Sequence, residues 1–308
     1  MDDQERRHIE ELIGLYTRRL HILEKQIASA GIRTPPEIQI ECEDVKRKLE
    51  ELKGQTEHSS VVTVELITHG SSGLESGATE RIDWTALFDG GLPSADAWSE
   101  QLLPELYRLK ARIVQGGGQV IALRAKAHLS ACLAFGYVFR APTGYRLWVE
   151  QSDLHTRQAQ WWRTDEKPLL ETPLEQERTA GPSRAKNTET SVEISAASDV
   201  DIRAAVRQSI LQHKLPIRER IHLRLPLHGK AVAVQSGPHA LAMALQIRAA
   251  IRAVRNANPQ QTIHLFGAMP FGMAVLLGAQ LNACEQVQCY EFDRMTNTYQ
   301  MACRLSPS

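Results

Sequence analysis

Near the amino terminus, apolar residues (Ile9, Leu12, Ile13, Tyr16, Leu20, Leu23) recur every three or four positions in a charged background. That period predicts an amphipathic helix ending near Gly31. Thr34-Pro35-Pro36 cannot continue it. A second helix is expected from Glu37 through Ile38, Ile40, Val45 and Leu49 to Leu52, stopping at Gly54. Residues 1–56 therefore read as a helical hairpin. Two such helices enclose too little core to be stable alone, so their apolar stripe needs the main body, a second copy or a partner chain.

From residue 57 the pattern changes to short apolar runs alternating with helical ones. Val61–Ile67 reads as a strand released by the loop Thr68–Gly73, and a helix is expected from Ser99 to Ile113, ended by Gly116-Gly117-Gly118. Gln119–Leu123 is strand-like, Arg124–His128 leads into a helix carrying Leu129, Cys132, Leu133, Phe135 and Gly136, and Tyr145–Val149 is the next strand. Trp148, between Leu147 and Val149, is expected in the core. A similar unit recurs near the other end. Thr262–Phe266 predicts a strand, Gly267–Gly272 a tight loop, Met273–Asn282 a helix and Val287–Phe292 a strand. Strand–loop–helix–strand is the crossover of a parallel sheet, with Leu133–Gly136 in the place of Leu276–Gly278. Pro270 suits a first helical turn, where its missing N–H has no partner to lose.

Between the two units, residues 163–190 are rich in Thr, Glu, Pro, Arg, Ser and Lys and read as a mobile polar linker. Structure resumes at Ser191–Ile194. Asp199 is expected to cap a helix through Ile202, Val206, Ile210 and Leu211. Strands follow at Ile221–Pro226 and Lys230–Val234, and then a long helix from Ala240 to Asn256. The fold class is α/β, with two Rossmann-type halves (57–162 and 191–308) behind the hairpin.

Composition narrows the chemistry. Across 308 residues, 36 Lys plus Arg balance 36 Asp plus Glu, so no bulk basic field points to duplex nucleic acid. Any anion must be held locally. Cys42, Cys132, Cys284, Cys289 and Cys303 form no CxxC pair and fit buried thiols better than a zinc site. No apolar run reaches the roughly 18 residues of a membrane span. The charged amino terminus is unlike a signal peptide, so a cytoplasmic location is the expectation. GxSxG, HExxH and P-loop patterns are absent, and Glu150 and Asp153 at a strand end are read as solvated charges.

Dispersed signatures run through both halves: Asp83-Trp84-Thr85, Leu129–Cys132 with Gly136–Arg140, Trp161, Ile263–Pro270 with Leu277-Gly278, and Tyr290-Glu291-Phe292. Together they resemble the SAVED family, sensor domains of bacterial antiphage systems of the CBASS and type III CRISPR kinds. The resemblance implies two fused CARF-like halves that bind a cyclic oligonucleotide, commonly cyclic tri- or tetra-adenylate. It also implies an effector, which family members usually carry on the same chain. Residues 1–59 are too few for one. The expectation is therefore a non-enzymatic sensor whose effector is a separate protein, reached through the hairpin or through a ligand-induced oligomer or filament. A ring nuclease degrading the same ligand and a purely structural scaffold are the alternatives.

A cyclic oligoadenylate needs fixed N–H donors, a few cations and flat apolar surfaces. Strand carboxyl ends and helix starts can supply them. In the first half the candidates are Arg124 and Lys126 as cations, with His128 and Ser130 at the next helix start. In the second half they are Gln235, Ser236, Gly237 and His239 before the long helix, and Met269, Pro270 and Phe271 around the tight loop. Core packing is the rival reading for Met269 and Phe271.

Overall fold

The computed structural model describes residues 3–30, 35–59, 61–70, 78–140, 144–152, 158–169, 174–183, 189–197, 200–226, 234–282, 284 and 286–306. Met1–Val61 and Val62–Ser308 form two compact units. The first is the hairpin, α1 (Asp3–Ala30) and α2 (Pro36–Ser59). Leu23, Cys42, Val45 and Leu49 are buried between the helices, with Ile13, Tyr16, Leu20, Ile27 and Ile38 packed around them. Arg19–Glu41 and Lys46–Glu24 ion pairs, at 2.6 and 3.3 Å, tie the helices together at their exposed rims. Gly54 does not stop α2. A single glycine costs a helix only about 1 kcal/mol, and α2 runs on through polar residues to Ser59.

The second unit holds two sheets. In the first, β1 (Val61–Ile67), β2 (Glu80–Asp83), β3 (Val120–Lys126), β4 (Arg146–Ser152) and β5 (Ala159–Arg163) lie in the order β2-β1-β3-β4-β5. The pairs β1–β2 and β3–β4 are parallel, and β5 runs antiparallel to β4. In the second, β6 (Glu175–Ala180), β7 (Glu189–Ser195), β8 (Ile217–Arg224), β9 (Ile263–Ala268), β10 (Val287–Asp293) and β11 (Thr298–Leu305) lie in the order β11-β10-β9-β7-β8-β6. Its four central strands are parallel, and both edge strands are antiparallel to their neighbours. Helices α3 (Thr85–Phe88), α4 (Ala95–Ala97), α5 (Leu103–Gln115), α6 (Leu129–Val138), α7 (Arg203–Gln212), α8 (Gly237–Ala257) and α9 (Phe271–Gln280) connect the strands. A wide π turn over Trp98–Leu102 joins α4 to α5.

Read outward from the same point, β2-β1-β3-β4-β5 matches β8-β7-β9-β10-β11. Single hydrogen bonds repeat as well. Thr68 donates its N–H to Lys126 O (3.0 Å), as Ala196 does to Ala268 O (2.8 Å). Trp84 N–H reaches Ile67 O (2.7 Å), as Leu225 N–H reaches Ser195 O (3.1 Å). The chain is a duplicated α/β fold with β6 added to one edge.

Helices α6 and α9 are equivalent in the two halves and pack against each other. Every residue from Ser130 to Val138 and from Gly272 to Gln280 is buried, as expected of helices apolar all round. Gly136 and Gly278 make the crossing close. A β-carbon on Gly136 would run into Val275 O and come within 2.9 Å of Ala279 N. One on Gly278 would run into Leu133 O and come within 2.9 Å of Tyr137 N.

Some expectations change. The segment 163–190 is not wholly a linker, since Glu175–Ala180 pairs with β8 as an exposed edge strand. A charged edge strand buries little, so its composition carries no apolar signal. Trp148 is half-buried, on the face opposite Leu147 and Val149, with the Arg163 guanidinium 4.5 Å above its ring. The expected helix at 99–113 is α5 behind the π turn. Asp199, Asp153 and residues 230–233 of the expected strand lie outside the described residues. Asp201 instead accepts the Arg203 N–H at the start of α7 (3.0 Å). All five cysteines are buried and unpaired. No helix among the described residues is long and apolar enough to cross a membrane.

Gly278→Ala should cost about 3 kcal/mol, the upper range for overpacking, because the obstacle is backbone and cannot rotate away. Gly14→Ala, where a β-carbon meets nothing within 4 Å in mid-helix, should instead stabilise by about 0.5–1 kcal/mol. Urea unfolding of the two variants separates these outcomes.

Candidate functional site at the joined carboxyl edges

The carboxyl end of β3 leads into α6, and that of β9 into α9. Each of these helices begins on a side chain from the opposite half. Ser130 N–H donates to Glu291 Oε2 on β10 (2.7 Å), and Gly272 N–H donates to Gln151 Oε1 on β4 (3.0 Å). Residues 130 and 272 are equivalent in the two halves, and so are 151 and 291. The caps are reciprocal, and they bring the carboxyl edges of the two sheets together on one side of the unit. They also use helix-start donors that the tight-loop pattern suggested for a ligand anion. Glu291 is buried, and burial raises its pKa despite the N–H groups it accepts from.

The first-half edge carries the polar chemistry. Thr68, just past β1, is buried, and its Oγ1 accepts the His128 N–H at 2.9 Å. The same oxygen lies 2.7 Å from His128 Nδ1 and 3.3 Å from His69 Nδ1. His128 stacks on Phe88 (centroids 4.5 Å apart, 15° between planes) and meets His69 edge-on at 5.2 Å. Burial first, then His69 and Arg294, hold the His128 pKa down to about 4. His69 is also lowered, by burial and then by Lys126 and Arg294. Arg294 belongs to the β10–β11 turn, so the second half helps to complete this edge. The Lys126 side chain lies across Gly70, whose φ of +74° suits glycine and whose missing β-carbon leaves room for Lys126 Cε.

Arg124 is half-buried and bound to Glu150 (Nε to Oε2, 2.9 Å), so Glu150 is not merely solvated and the guanidinium is already engaged. In the second half, Ser236 caps α8, its Oγ accepting the His239 N–H at 3.4 Å, and Gln235 N–H points at His239 Nδ1 at 3.4 Å. Gly237 is buried against Glu166 and Trp162, and a β-carbon there would run into the Glu166 carboxylate. Burial raises the Glu166 pKa. Trp162 also lies over Gly272, which joins the starts of α8 and α9 into one neighbourhood. Met269 is buried, with Cε close over Gly267, and packs as core. Pro270 stands at the N-cap of α9, one place earlier than a first-turn proline, and its carbonyl accepts the Ala274 N–H (3.1 Å). Phe271 is half-buried against the core.

The structure thus gathers Lys126, His128 and Ser130 with Thr68, His69 and Glu291, and the charge of Arg294 acts on both imidazoles. It places Gln235–His239 beside Trp162, Glu166 and α9. Where the first half has Thr68 and Lys126, the second has Ala196 and Ala268. Thr68, His69 and Arg294 were missed from the sequence. The first two sat in a loop with no apolar period, and the third comes from the other half. Two open clefts are lined by none of these candidate side chains, although the second includes Asp293, next to Arg294. One of about 520 Å³ is lined by Arg178, Glu189, Arg218 and Asn258, among others. One of about 400 Å³ is lined by Ser94, His213, Asp293 and Gln300, among others.

This arrangement places the protein among duplicated Rossmann-type α/β domains. Residues 102–305 match the SAVED domain, described as the SMODS-associated and fused to various effectors sensor domain, and the chain belongs to that family. Similar solved structures include the Acinetobacter baumannii Cap4 SAVED/CARF-domain containing receptor. With the cyclic trinucleotide 3′3′3′-cAAA it matches at 19% identity and TM-score 0.65, over 86% of this chain and 56% of that one. With 2′3′3′-cAAA it matches at 19% identity and TM-score 0.66, over the same shares of the two chains. The Moraxella osloensis Cap4 receptor matches at 17% identity and TM-score 0.56, over 84% of this chain and 54% of that one. At these identities the likeness is one of fold, and the chain spans just over half the length of these receptors. No curated protein matches the chain.

A carboxylate whose folded pKa is raised binds its proton more tightly folded than unfolded. Its contribution to stability is present at low pH and is lost as pH rises from about 4.5 through the raised value. Glu291→Gln keeps an acceptor for the Ser130 N–H but does not titrate. The variant should therefore lose less stability between pH 4.5 and 8 than the parent, as read by urea midpoints across that range.

Proposed function

We propose that this protein senses a cyclic oligoadenylate, a cyclic tri- or tetra-adenylate, in antiphage defence of the CBASS or type III CRISPR kind. The observation that carries the reading is the joined carboxyl edge of a SAVED fold. There Lys126 lies across Gly70 near His69 and His128, at the capped start of α6, and the charge of Arg294 from the second half acts on both imidazoles. A multiply charged ring meets cations from both halves and bonds to them with charge assistance. The Cap4 receptors that share the fold carry cyclic trinucleotides, which supports the same ligand class here.

In this reading the chain is a cytoplasmic, non-enzymatic sensor. Its output passes to a separate effector through the hairpin, or through ligand-driven assembly of the two unlike halves head to tail. Leu15, Ile22 and Ile40 on the hairpin are exposed apolar side chains that suit such an interface.

Titration calorimetry with cyclic di-, tri-, tetra- and hexa-adenylates tests the proposal. A ring at about 100 times its dissociation constant should stabilise the fold by about 2.7 kcal/mol. Removing one charge-assisted contact costs about 1.5–3 kcal/mol. Lys126→Ala and Arg294→Ala should therefore each weaken binding by about 10- to 100-fold, and Arg218→Ala in the remote cleft should leave it unchanged. Binding lost only with Arg218→Ala would move the site. Silence with every ring would overturn the reading.

A further inference from the structure

We infer that Thr68, His69 and His128 form an anion subsite that takes up protons when the ligand binds, so that affinity is linked to pH. The inference rests on the carboxyl edge being the ligand site, and it deepens that reading. Its ground is a shared hydroxyl. Thr68 Oγ1 accepts the His128 N–H (2.9 Å) and sits between His128 Nδ1 (2.7 Å) and His69 Nδ1 (3.3 Å). With one lone pair engaged by the backbone, the hydroxyl proton is free to point at His128 Nδ1, which leaves that ring neutral with its proton on Nε2.

A proton added at His128 Nδ1 reverses this bond. Thr68 Oγ1 then accepts from both the N–H and Nδ1–H of His128, and its own proton turns to His69 Nδ1. No other heavy atom has to move. The charged groups facing the pair come from every neighbouring element. Lys126 stands at the end of β3, and Arg294 lies in the β10–β11 turn. Phe88 of α3 supplies an uncharged stacking face. Asp293 is turned inward on its own loop, accepting from Met295 N–H (2.9 Å) and Thr296 Oγ1 (2.9 Å). Glu291 is committed to Ser130 beneath the first turn of α6.

In the free protein the surroundings are cationic and partly dry, which disfavours the charged form of both imidazoles. A phosphodiester is ionised at any pH of interest. Placed among Lys126, Arg294 and the two rings, it reverses the local field, and each imidazole gains an attractive partner in its charged form. The proton comes from solvent, and no bond to the ligand forms or breaks. Affinity is then highest at low pH and falls as pH rises through the value the imidazoles reach in the complex. The equivalent positions in the second half, Ala196, Ala197 and Pro270, have no titratable side chain, so the linkage belongs to one half of the ring site.

The test is calorimetry of the whole chain with 3′3′3′-cyclic triadenylate at one pH, in buffers of different ionisation enthalpy. It is then repeated from pH 5.5 to 8. Uptake of about one proton per ring near pH 6.5, with affinity weakening by up to about tenfold per pH unit, is expected. His69→Asn, at an exposed position that does not threaten folding, should reduce the uptake while Lys126 and Arg294 still hold the ring. Thr68→Ser should keep the uptake, and Thr68→Val should lose it. Tight binding with no proton uptake, or uptake unchanged in a folded His69→Asn/His128→Asn variant, overturns the linkage and leaves the sensor reading intact. Absence of binding by every ring size overturns both.

Discussion

The crossing of α6 and α9 is the constraint on which the rest of the second unit depends. Gly136 and Gly278 let two helices apolar on every side meet backbone to backbone. Because these helices are the same element in each half, their contact lies on the pseudo-symmetric centre of the duplication. It fixes which ends of the two sheets are neighbours. The caps from Glu291 to α6 and from Gln151 to α9 follow from that placement, since each side chain has only to reach across the join. Close packing of this kind tolerates little added volume, and two glycines at equivalent positions are the local solution.

The same join creates an asymmetry in chemistry within a symmetric frame. Helix starts attract anions, yet here the protein presents its own acceptors to them: Glu291 to α6, Gln151 to α9 and Glu166 beside α8. One cap is a carboxylate kept protonation-prone by burial, and its counterpart is a neutral amide. A ligand at this edge therefore finds fewer open backbone donors than a bare strand–loop–helix motif suggests. In the proposed reading it relies instead on side chains: Lys126, His69 and His128 from the first half and Arg294 from the second. Recognition would then be gripped from one side and completed from the other.

Much of the fold was legible because buried parallel strands and all-apolar helices are continuous signals. Val120–Leu123, Leu129–Val138, Ile263–Phe266 and Met273–Gln280 carry no polar interruption strong enough to mislead. The edge elements were not legible. Glu80–Asp83 and Glu175–Ala180 are short or charged strands stabilised by ladder hydrogen bonds rather than by burial, so hydropathy is silent about them. Of the candidate site, Lys126, His128 and the residues at the start of α8 were placed correctly on strand ends and helix starts. Arg124 was read as an open cation because its partner Glu150 sits 26 residues away on the neighbouring strand. Arg294 and Glu291 reach the first half only through the α6–α9 join, which no local pattern encodes. Met269 looked available beside Pro270, but the bend of the loop folds it back onto Gly267.

In the proposed reading, the ligand is recognised where the two carboxyl edges meet. Amide hydrogen exchange, comparing the free chain with the chain saturated by cyclic triadenylate, tests it most directly. Slowed exchange is expected only at residues 67–70, 126–130 and 293–297 and the starts of α8 and α9, with the cleft around Arg178, Arg218 and Asn258 unchanged. Protection concentrated in that cleft, with the joined edges exchanging as before, would contradict it.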